Sequence, residues 1–131
     1  MLKISPAIIA EIIEQARTGL PEEICGYLAG TGNAVTRRFP LTNIEHSPEH
    51  FSMSPAEQFN AVRQARQEGL TILAGYHSHP SSPARPSEED IRLAADPNIS
   101  YIIVSLATEP PVVRAFRING GTVTPEEIAE E

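Results

Sequence analysis

Cysteine and tryptophan are scarce in this 131-residue chain, which has one cysteine, Cys25, and no tryptophan. A single cysteine cannot form an internal disulfide, which excludes a disulfide-stapled domain and fits a reducing compartment. No apolar run reaches transmembrane length, and Glu11 and Glu14 interrupt the apolar segment near the start, where a signal-peptide layout is missing. We therefore predict a soluble, cytoplasmic protein with no membrane partner.

Basic residues are also few, since 10 lysines and arginines stand against 17 acidic residues, for a formal net charge of −7. Contacts with nucleic-acid phosphates need a basic face, so no nucleic-acid partner is expected. The sequence has no internal repeat, low-complexity tract or interdomain linker. Hydrophobic residues make up 40% of the chain, enough for one core. We predict that residues 1–131 form a single domain.

Three serines mark the starts of three predicted helices. Each serine can act as an N-cap, and two of them precede a proline at the first helical position. Glu57 and Asp90 stand three residues after their serines, as in a capping box. The predicted helices run from Ser5-Pro6 to Gly19, from Ser54-Pro55 to about Glu68, and from Ser87 through Ala95. The core side of the second helix is predicted to include Phe59, Val62 and Ala65.

Short apolar runs between these helices predict the strands of a sheet. The runs are Ile24–Ala29, Ala34–Leu41, Thr71–Tyr76, Tyr101–Leu106 and Val112–Ile118. The first two flank a glycine-rich turn and are typical of a hairpin. Thr124-Pro125-Glu126-Glu127 predicts a short C-terminal helix. The order of elements indicates an α/β protein with a mixed β-sheet flanked by helices.

Two histidines at the end of the Thr71–Tyr76 strand form the first candidate site. Residues two apart in a strand point to the same side, so His77 and His79 can share one ion. Pro80 lets the chain leave the sheet, and the loop that follows can return Asp90 to the strand end. Two nitrogens and one oxygen leave a fourth tetrahedral position open, as in catalytic zinc sites. The sequence therefore predicts one Zn²⁺ per chain.

Hydrolysis at such a site requires further groups. Zinc lowers the pKa of a bound water to roughly 7, and a general base must then take its proton. Glu23 is the candidate for this base and for the acid that protonates the leaving amine. The Ser87 hydroxyl is the candidate donor to the oxyanion of the tetrahedral intermediate. These two residues complete the predicted site.

The same residues resemble the signature of the JAMM (MPN+) zinc metalloprotease family. His77-Ser78-His79-Pro80, six residues, Ser87, two residues and Asp90 match the motif at every defined position. Glu23-Ile24-Cys25-Gly26 matches the upstream glutamate, whereas Glu22 is one place out of register. The order of elements is similar from near Ile4 to about Ile118. The resemblance implies a cytidine-deaminase-like fold and zinc-dependent cleavage of amide or isopeptide bonds.

The chain is close to the minimal length of that family and looks like its compact prokaryotic members. Some of these act on ubiquitin-like sulfur-carrier proteins, from which they release an amino acid or a C-terminal extension. The resemblance therefore implies, as substrate and partner, a ubiquitin-like protein with a Gly-Gly tail. The oligomeric state does not follow from the sequence.

Each candidate residue also has a purely structural interpretation. In this interpretation, Ser87 and Asp90 form a capping box and have no further role, and Glu23 is a solvated carboxylate in a turn. Cys25 is predicted to be a buried core thiol rather than a nucleophile. His46 and His50 flank a proline, Pro48, and are predicted to lie in an exposed loop.

Two other functions remain open from the sequence. The first is a non-catalytic module of the same fold that binds a ubiquitin-like partner without cleaving it. The second is a zinc hydrolase of a small amide metabolite, which a small closed pocket would favour over an open groove.

Overall fold

The computed structural model describes all residues from 1 to 131, which form three helices and eight strands. In chain order these are β1 Leu2–Ile4, α1 Pro6–Thr18, β2 Cys25–Thr31, β3 Ala34–Leu41, α2 Pro55–Gln67, β4 Thr71–His79, α3 Glu88–Leu93, β5 Ser100–Ser105, β6 Val112–Asn119, β7 Thr122–Glu126 and β8 Ile128–Glu130. The five strands predicted from apolar runs are all present. No helix of the chain combines the length and the apolar character that crossing a membrane requires.

All eight strands belong to one mixed sheet, with the order β7-β6-β5-β4-β2-β3-β1-β8. Strand β4 lies near the middle, where it pairs antiparallel with β2 and parallel with β5. From Ala74 to His79 every residue of β4 is buried. The predicted fold class, a mixed sheet flanked by helices, is confirmed, and β4 is the strand that carries both candidate histidines into the interior.

The last segment of the chain is extended, so the predicted C-terminal helix is wrong. Residues 122–126 pair with β6, and residues 128–130 pair in parallel with β1 at the opposite edge. Only Glu127 separates the two strands, and its carbonyl accepts a hydrogen bond from Leu2 N at 2.9 Å. Because two residues span at most about 7 Å, the end of β7 lies close to the start of β8, although the two strands belong to opposite edges of the sheet. Edge pairing here outweighs the local helix-start signal.

Helix α1 packs on one face of the sheet. Ser5 caps it by accepting a hydrogen bond from Ile8 N at 3.3 Å, as predicted. Ile12 and Ala16 are fully buried against Leu28, Ala74, Tyr76, Ile102 and Val104, which belong to one core cluster. A Cβ on Gly26 would lie 2.3 Å from the Tyr76 hydroxyl, so this position of β2 requires glycine. The face occupied by α1 is opposite to that of His77.

Helix α2 covers the other face, and its predicted core side is confirmed in part. Ala65 is buried as predicted and Val62 is half-buried, whereas Phe59 is 68% exposed and Ala61 is buried in addition. The small alanine side chains let the helix lie close to the sheet beside Cys25 and Ala29. The Glu57 side chain accepts hydrogen bonds from Thr42 and not from Ser54 N, so only the Ser54 half of the predicted capping box forms.

Candidate metal centre

The two histidines lie on the last residues of β4, which extends three residues beyond the predicted end at Tyr76. Parallel pairing with β5 continues to His79, which lies opposite Ser105. The side chains of His77 and His79 are 7% and 5% exposed. Ser78 points to the other face, where its Oγ accepts a hydrogen bond from Ile24 N at 2.8 Å. The strand geometry therefore puts both imidazoles on one side, as expected.

Asp90 reaches the histidines from the first turn of α3. The predicted capping box is present, because Ser87 Oγ accepts from Asp90 N and Asp90 Oδ2 accepts from Ser87 N, each at 3.0 Å. The same Oδ2 lies 3.1 Å from Nε2 of His77 and 3.1 Å from Nε2 of His79. The capping box thus aims this carboxylate oxygen at the strand end. The helix itself ends at Leu93, before the predicted Ala95.

The three candidate ligand atoms form a nearly equilateral triangle. The two Nε2 atoms are 3.2 Å apart, and each lies 3.1 Å from Asp90 Oδ2. A tetrahedral ion with bonds of about 2.0–2.1 Å holds adjacent ligand atoms about 3.3 Å apart. The triangle therefore has the dimensions of one face of such a site. A His₂Asp donor set with one open position suits zinc.

A hydrogen bond fixes the tautomer of one imidazole. His79 Nδ1 lies 2.8 Å from the Pro83 carbonyl oxygen, to which it donates its proton. A neutral His79 then carries its lone pair on Nε2, the atom that faces His77 and Asp90. Metal-ligating histidines usually have such a partner for their second nitrogen. The loop between β4 and α3 thus supplies the orientation that a ligand needs.

Burial and hydrogen bonding set the charges of this group. Burial lowers the pKa of His77, more than the adjacent Asp90 raises it. Burial also lowers the pKa of His79, but the bonds to Asp90 and the Pro83 carbonyl outweigh it, so this pKa is raised. Burial raises the pKa of Asp90, yet the two histidines hold it far below its ordinary value. Asp90 is therefore an anion at neutral pH, the state in which a carboxylate binds a cation.

Glu23 is a buried carboxyl close to the same group. The residue is 6% exposed and lies two residues before the first residue of β2, Cys25, which pairs with His77. Burial raises its pKa to about 7, while the charge of His79 lowers it and that of Asp90 raises it. A carboxyl with this pKa can both accept and release a proton at neutral pH. The neighbouring Glu22 is more exposed and contacts His46, 3.2 Å away.

Ser87 is exposed and occupies the N-cap position of α3. Its hydroxyl oxygen accepts the Asp90 N–H, and the structure shows no protein acceptor for the hydroxyl proton. The capping role predicted for Ser87 is thus present. Its role as an oxyanion donor stays a prediction, and the hydroxyl proton that this role needs is not used elsewhere in the protein.

The segment after β3 adds Phe51, which the sequence did not single out, and connects His50 with α3. The Phe51 ring stacks on the His77 imidazole with centroids 4.4 Å apart and an interplanar angle of 23°. His50 Nδ1 lies 2.8 Å from Glu89 Oε1 on α3, and this contact raises the pKa of His50. Phe51 follows a predicted loop and precedes a predicted helix, so only its aromatic character could have drawn attention to it.

A cleft of about 730 Å³ extends from His77 between α2 and α3. Apolar side chains form most of its lining, among them Tyr27, Phe51, Met53, Val62, Leu93 and Tyr101. The cleft is open to solvent, and His77 is the candidate ligand that contributes to its lining. Cys25 is a buried thiol, as predicted for a core residue. Burial raises the pKa of this thiol to about 12.

Comparison with known proteins identifies the family. Residues 5–119 match the family described as prokaryotic homologs of the JAB domain, and the chain belongs to this family. The resemblance to compact prokaryotic JAMM (MPN) proteins is therefore confirmed, together with the JAB-type fold that it implied.

Relatives with assigned activities cover most of the chain. The CysO-cysteine peptidase of Mycobacterium tuberculosis is 33% identical over 133 residues, which cover 98% of this chain and 90% of that protein. A Thermus thermophilus protein, the probable TtuB-protein conjugate cleaving protease, is 39% identical over 115 residues, or 84% of this chain and 74% of that one. A solution structure of a Desulfitobacterium hafniense protein, 46% identical, superimposes with a TM-score of 0.91 and covers 100% of this chain and 93% of its own.

Proposed function

We propose that this protein is a zinc-dependent peptidase or isopeptidase that hydrolyses an amide bond at the C-terminal tail of a ubiquitin-like sulfur-carrier protein. The observation that carries the proposal is the triangle of ligand atoms with the buried Glu23 carboxyl beside it. The substrate class is supported by the names of the relatives, which act on CysO-cysteine and on TtuB-protein conjugates. We further propose that residues 1–131 act as one domain and that the protein works in the cytoplasm.

In the proposed reaction His77, His79 and Asp90 would hold the zinc ion. When bound there, zinc would supply Lewis acidity and lower the pKa of water to roughly 7. Glu23 takes a proton from the attacking water and delivers it to the amine that leaves. Burial raises the pKa of Glu23 to about 7, so this carboxyl can take up and release a proton near neutral pH.

Ser87 is proposed to donate its hydroxyl proton to the oxyanion that forms on the scissile carbonyl. The capping box ties the position of this hydroxyl to that of Asp90, because each residue binds the backbone of the other. The oxyanion donor and the ligand thus keep a fixed separation. The apolar cleft that begins at His77 can accommodate an extended tail, whose scissile bond would reach the ligands.

The test is incubation of the zinc-loaded protein with ubiquitin-like carriers that bear C-terminal extensions, read by intact mass. We expect loss of the extension, one zinc per chain, and a decrease of at least about 100-fold in rate for Glu23→Gln. Glu22→Gln is the matched control, because it makes the same change one residue away in a more exposed side chain. This control is expected to keep the wild-type rate.

Other outcomes distinguish the competing functions. Absence of stoichiometric zinc, or an unchanged rate after Glu23→Gln, contradicts the proposed chemistry. Carrier binding without turnover of any conjugate would instead identify a binding module of the JAB fold. Turnover of small amides, with none of the protein conjugates, would identify a metabolite hydrolase.

A further inference from the structure

The backbone of Glu23 is held by a segment that lies outside the sheet. Regular pairing of β2 begins only at Cys25. The Glu23 N–H donates to the Ser47 carbonyl at 2.9 Å, and the Glu23 carbonyl accepts from Asn43 Nδ2 at 3.0 Å. The backbone N–H and the backbone carbonyl of Glu23 therefore both bind the segment 43–53, which follows β3. The position of Glu23 depends on the conformation of that segment.

Asn43 is the centre of the segment. Its side chain is buried, with 6% of the residue exposed. Nδ2 donates to the carbonyls of Glu23 and His50, both at 3.0 Å. Oδ1 accepts from Glu45 N at 3.0 Å and from Ser52 N at 3.2 Å. A carboxamide has two donor hydrogens and two acceptor lone pairs, so every hydrogen bond that the Asn43 side chain can make is formed.

These bonds also fix the aromatic wall of the metal centre. His50 and Ser52, which Asn43 binds, are the two neighbours of Phe51 in the chain. The Phe51 ring stacks on His77 with centroids 4.4 Å apart. One buried amide therefore connects the backbone of Glu23 with the ring that covers His77. Such outer contacts commonly orient the groups of a metal site.

We propose that Asn43 is a positioning residue, which sets Glu23 in register with the ligand group His77, His79 and Asp90. It acts through Glu23 and does not touch the substrate. The inference rests on the proposed function only for its kinetic consequence. Its structural consequence, a fixed Glu23 backbone, is independent of the substrate. An isosteric aspartate would keep the two acceptor contacts but lose both donors, to Glu23 and to His50.

The kinetic test compares Asn43→Asp with the wild type in the zinc-loaded protein. We expect kcat to fall about 10- to 100-fold, as for other outer contacts of metal sites, with KM unchanged. Zinc stoichiometry should stay at one per chain, because the ligands are set by β4 and α3. Asn33→Asp is the matched control, since Asn33 is an exposed residue that binds the Met1 carbonyl far from the site. This control is expected to keep the wild-type kcat.

A second measurement separates positioning from a general loss of stability. Amide hydrogen exchange should become faster at Glu23 in Asn43→Asp, because the bond to Ser47 loosens with the segment. Exchange at Tyr76, in the middle of β4, should be unchanged, whereas a globally destabilised sheet would exchange faster at both sites. Asn43→Ser, which lacks the amide donors and adds no charge, must give the same pattern.

Three results would overturn the inference. They are a wild-type kcat in both Asn43 variants, zinc loss that accounts for the lost activity, and faster exchange throughout β4. A variant that does not fold would also overturn the inference, because it would show that Asn43 has a general structural role. A wild-type protein that cleaves no carrier would contradict the proposed function alone, since the exchange experiment would still test how Asn43 holds Glu23.

Discussion

Glu23 shows how a single residue can link stability and chemistry. Its carboxyl is buried without a basic side chain bound to it, and burial raises its pKa from 4.5 to about 7. The folded state therefore holds a proton that the unfolded state releases, and ionising this group opposes folding. Such a cost is common where a residue serves a reaction instead of the fold.

The sign of this effect predicts a pH-dependent gain of stability for Glu23→Gln in the metal-free protein. Because the folded-state pKa is raised, the stabilisation that protonated Glu23 contributes is complete below the unfolded-state pKa of 4.5. This contribution is lost as the pH rises through the folded-state pKa of about 7. At pH 8 we expect the variant to have the higher free energy of unfolding, by at most about 3 kcal/mol. The difference should be much smaller at pH 5.

Urea unfolding of both proteins at pH 5 and pH 8 measures this difference, with zinc removed by a chelator. Glu22→Gln serves again as the control and should show no such pH-dependent gain, because Glu22 is more exposed. An equal effect of Glu23→Gln at the two pH values would contradict the assignment of the raised pKa to Glu23.

Among the elements, β4 and α3 bring the ligands together by different means. Strand β4 places two imidazoles on one face through its period of two and through pairing with β5 up to His79. Helix α3 is only six residues long, and its capping box is what orients Asp90. The two elements are joined by a loop whose Pro83 carbonyl binds His79. The site is thus built at a strand end and a helix start.

The double role of Ser87 yields a prediction for α3. Ser87→Ala removes the N-cap acceptor, which should lower the free energy of unfolding by about 0.5–2 kcal/mol. It also removes the proposed oxyanion donor, which should lower kcat by about 100- to 1000-fold. Ser87→Thr keeps both functions of the hydroxyl and is expected to lose little of either.

Thermal unfolding and steady-state cleavage, measured on the same zinc-loaded samples, separate the two roles. A loss of stability with the wild-type kcat in Ser87→Ala would leave Ser87 with the capping role alone. Zinc content is the control, because Asp90 accepts a hydrogen bond from Ser87 N, which the substitution keeps.

In the whole molecule, the C-terminal segment supplies the strands at both edges of the sheet. Strands β7 and β8 belong to opposite edges although one residue separates them. Ile128 packs against the core cluster that contains α1, and Glu131 N donates to the Ile4 carbonyl at 3.1 Å. Strand β8 covers the edge of β1, which would otherwise expose unpaired backbone groups.

Ending the chain at Glu127 should therefore lower the stability of the whole domain. The loss of Ile128 and of the β1–β8 pairing is expected to reduce the free energy of unfolding by at least about 1.5 kcal/mol. Zinc binding should persist, because β4 and α3 lie away from this edge. Denaturant unfolding checks the first expectation and metal analysis the second. Unchanged stability would show that β8 does not contribute to the stability of the sheet.

The sequence alone determined the parts of this protein that depend on near neighbours in the chain. The two-residue period of a strand aligns His77 with His79, and the three-residue spacing of a capping box joins Ser87 to Asp90. Five strands and the starts of three helices followed from local patterns in the same way. Local geometry is sufficient for these features because the interacting groups are covalently close.

Only the tertiary structure decided which distant segments meet. The register of β2 against β4 brings Glu23 to the histidines, and the segment around Asn43 and Phe51 completes the site through buried hydrogen bonds and stacking. The C-terminal residues became strands because two open edges were available to pair with them. Local signals cannot encode such contacts, since their free energy comes from burial and pairing that exist only in the folded chain.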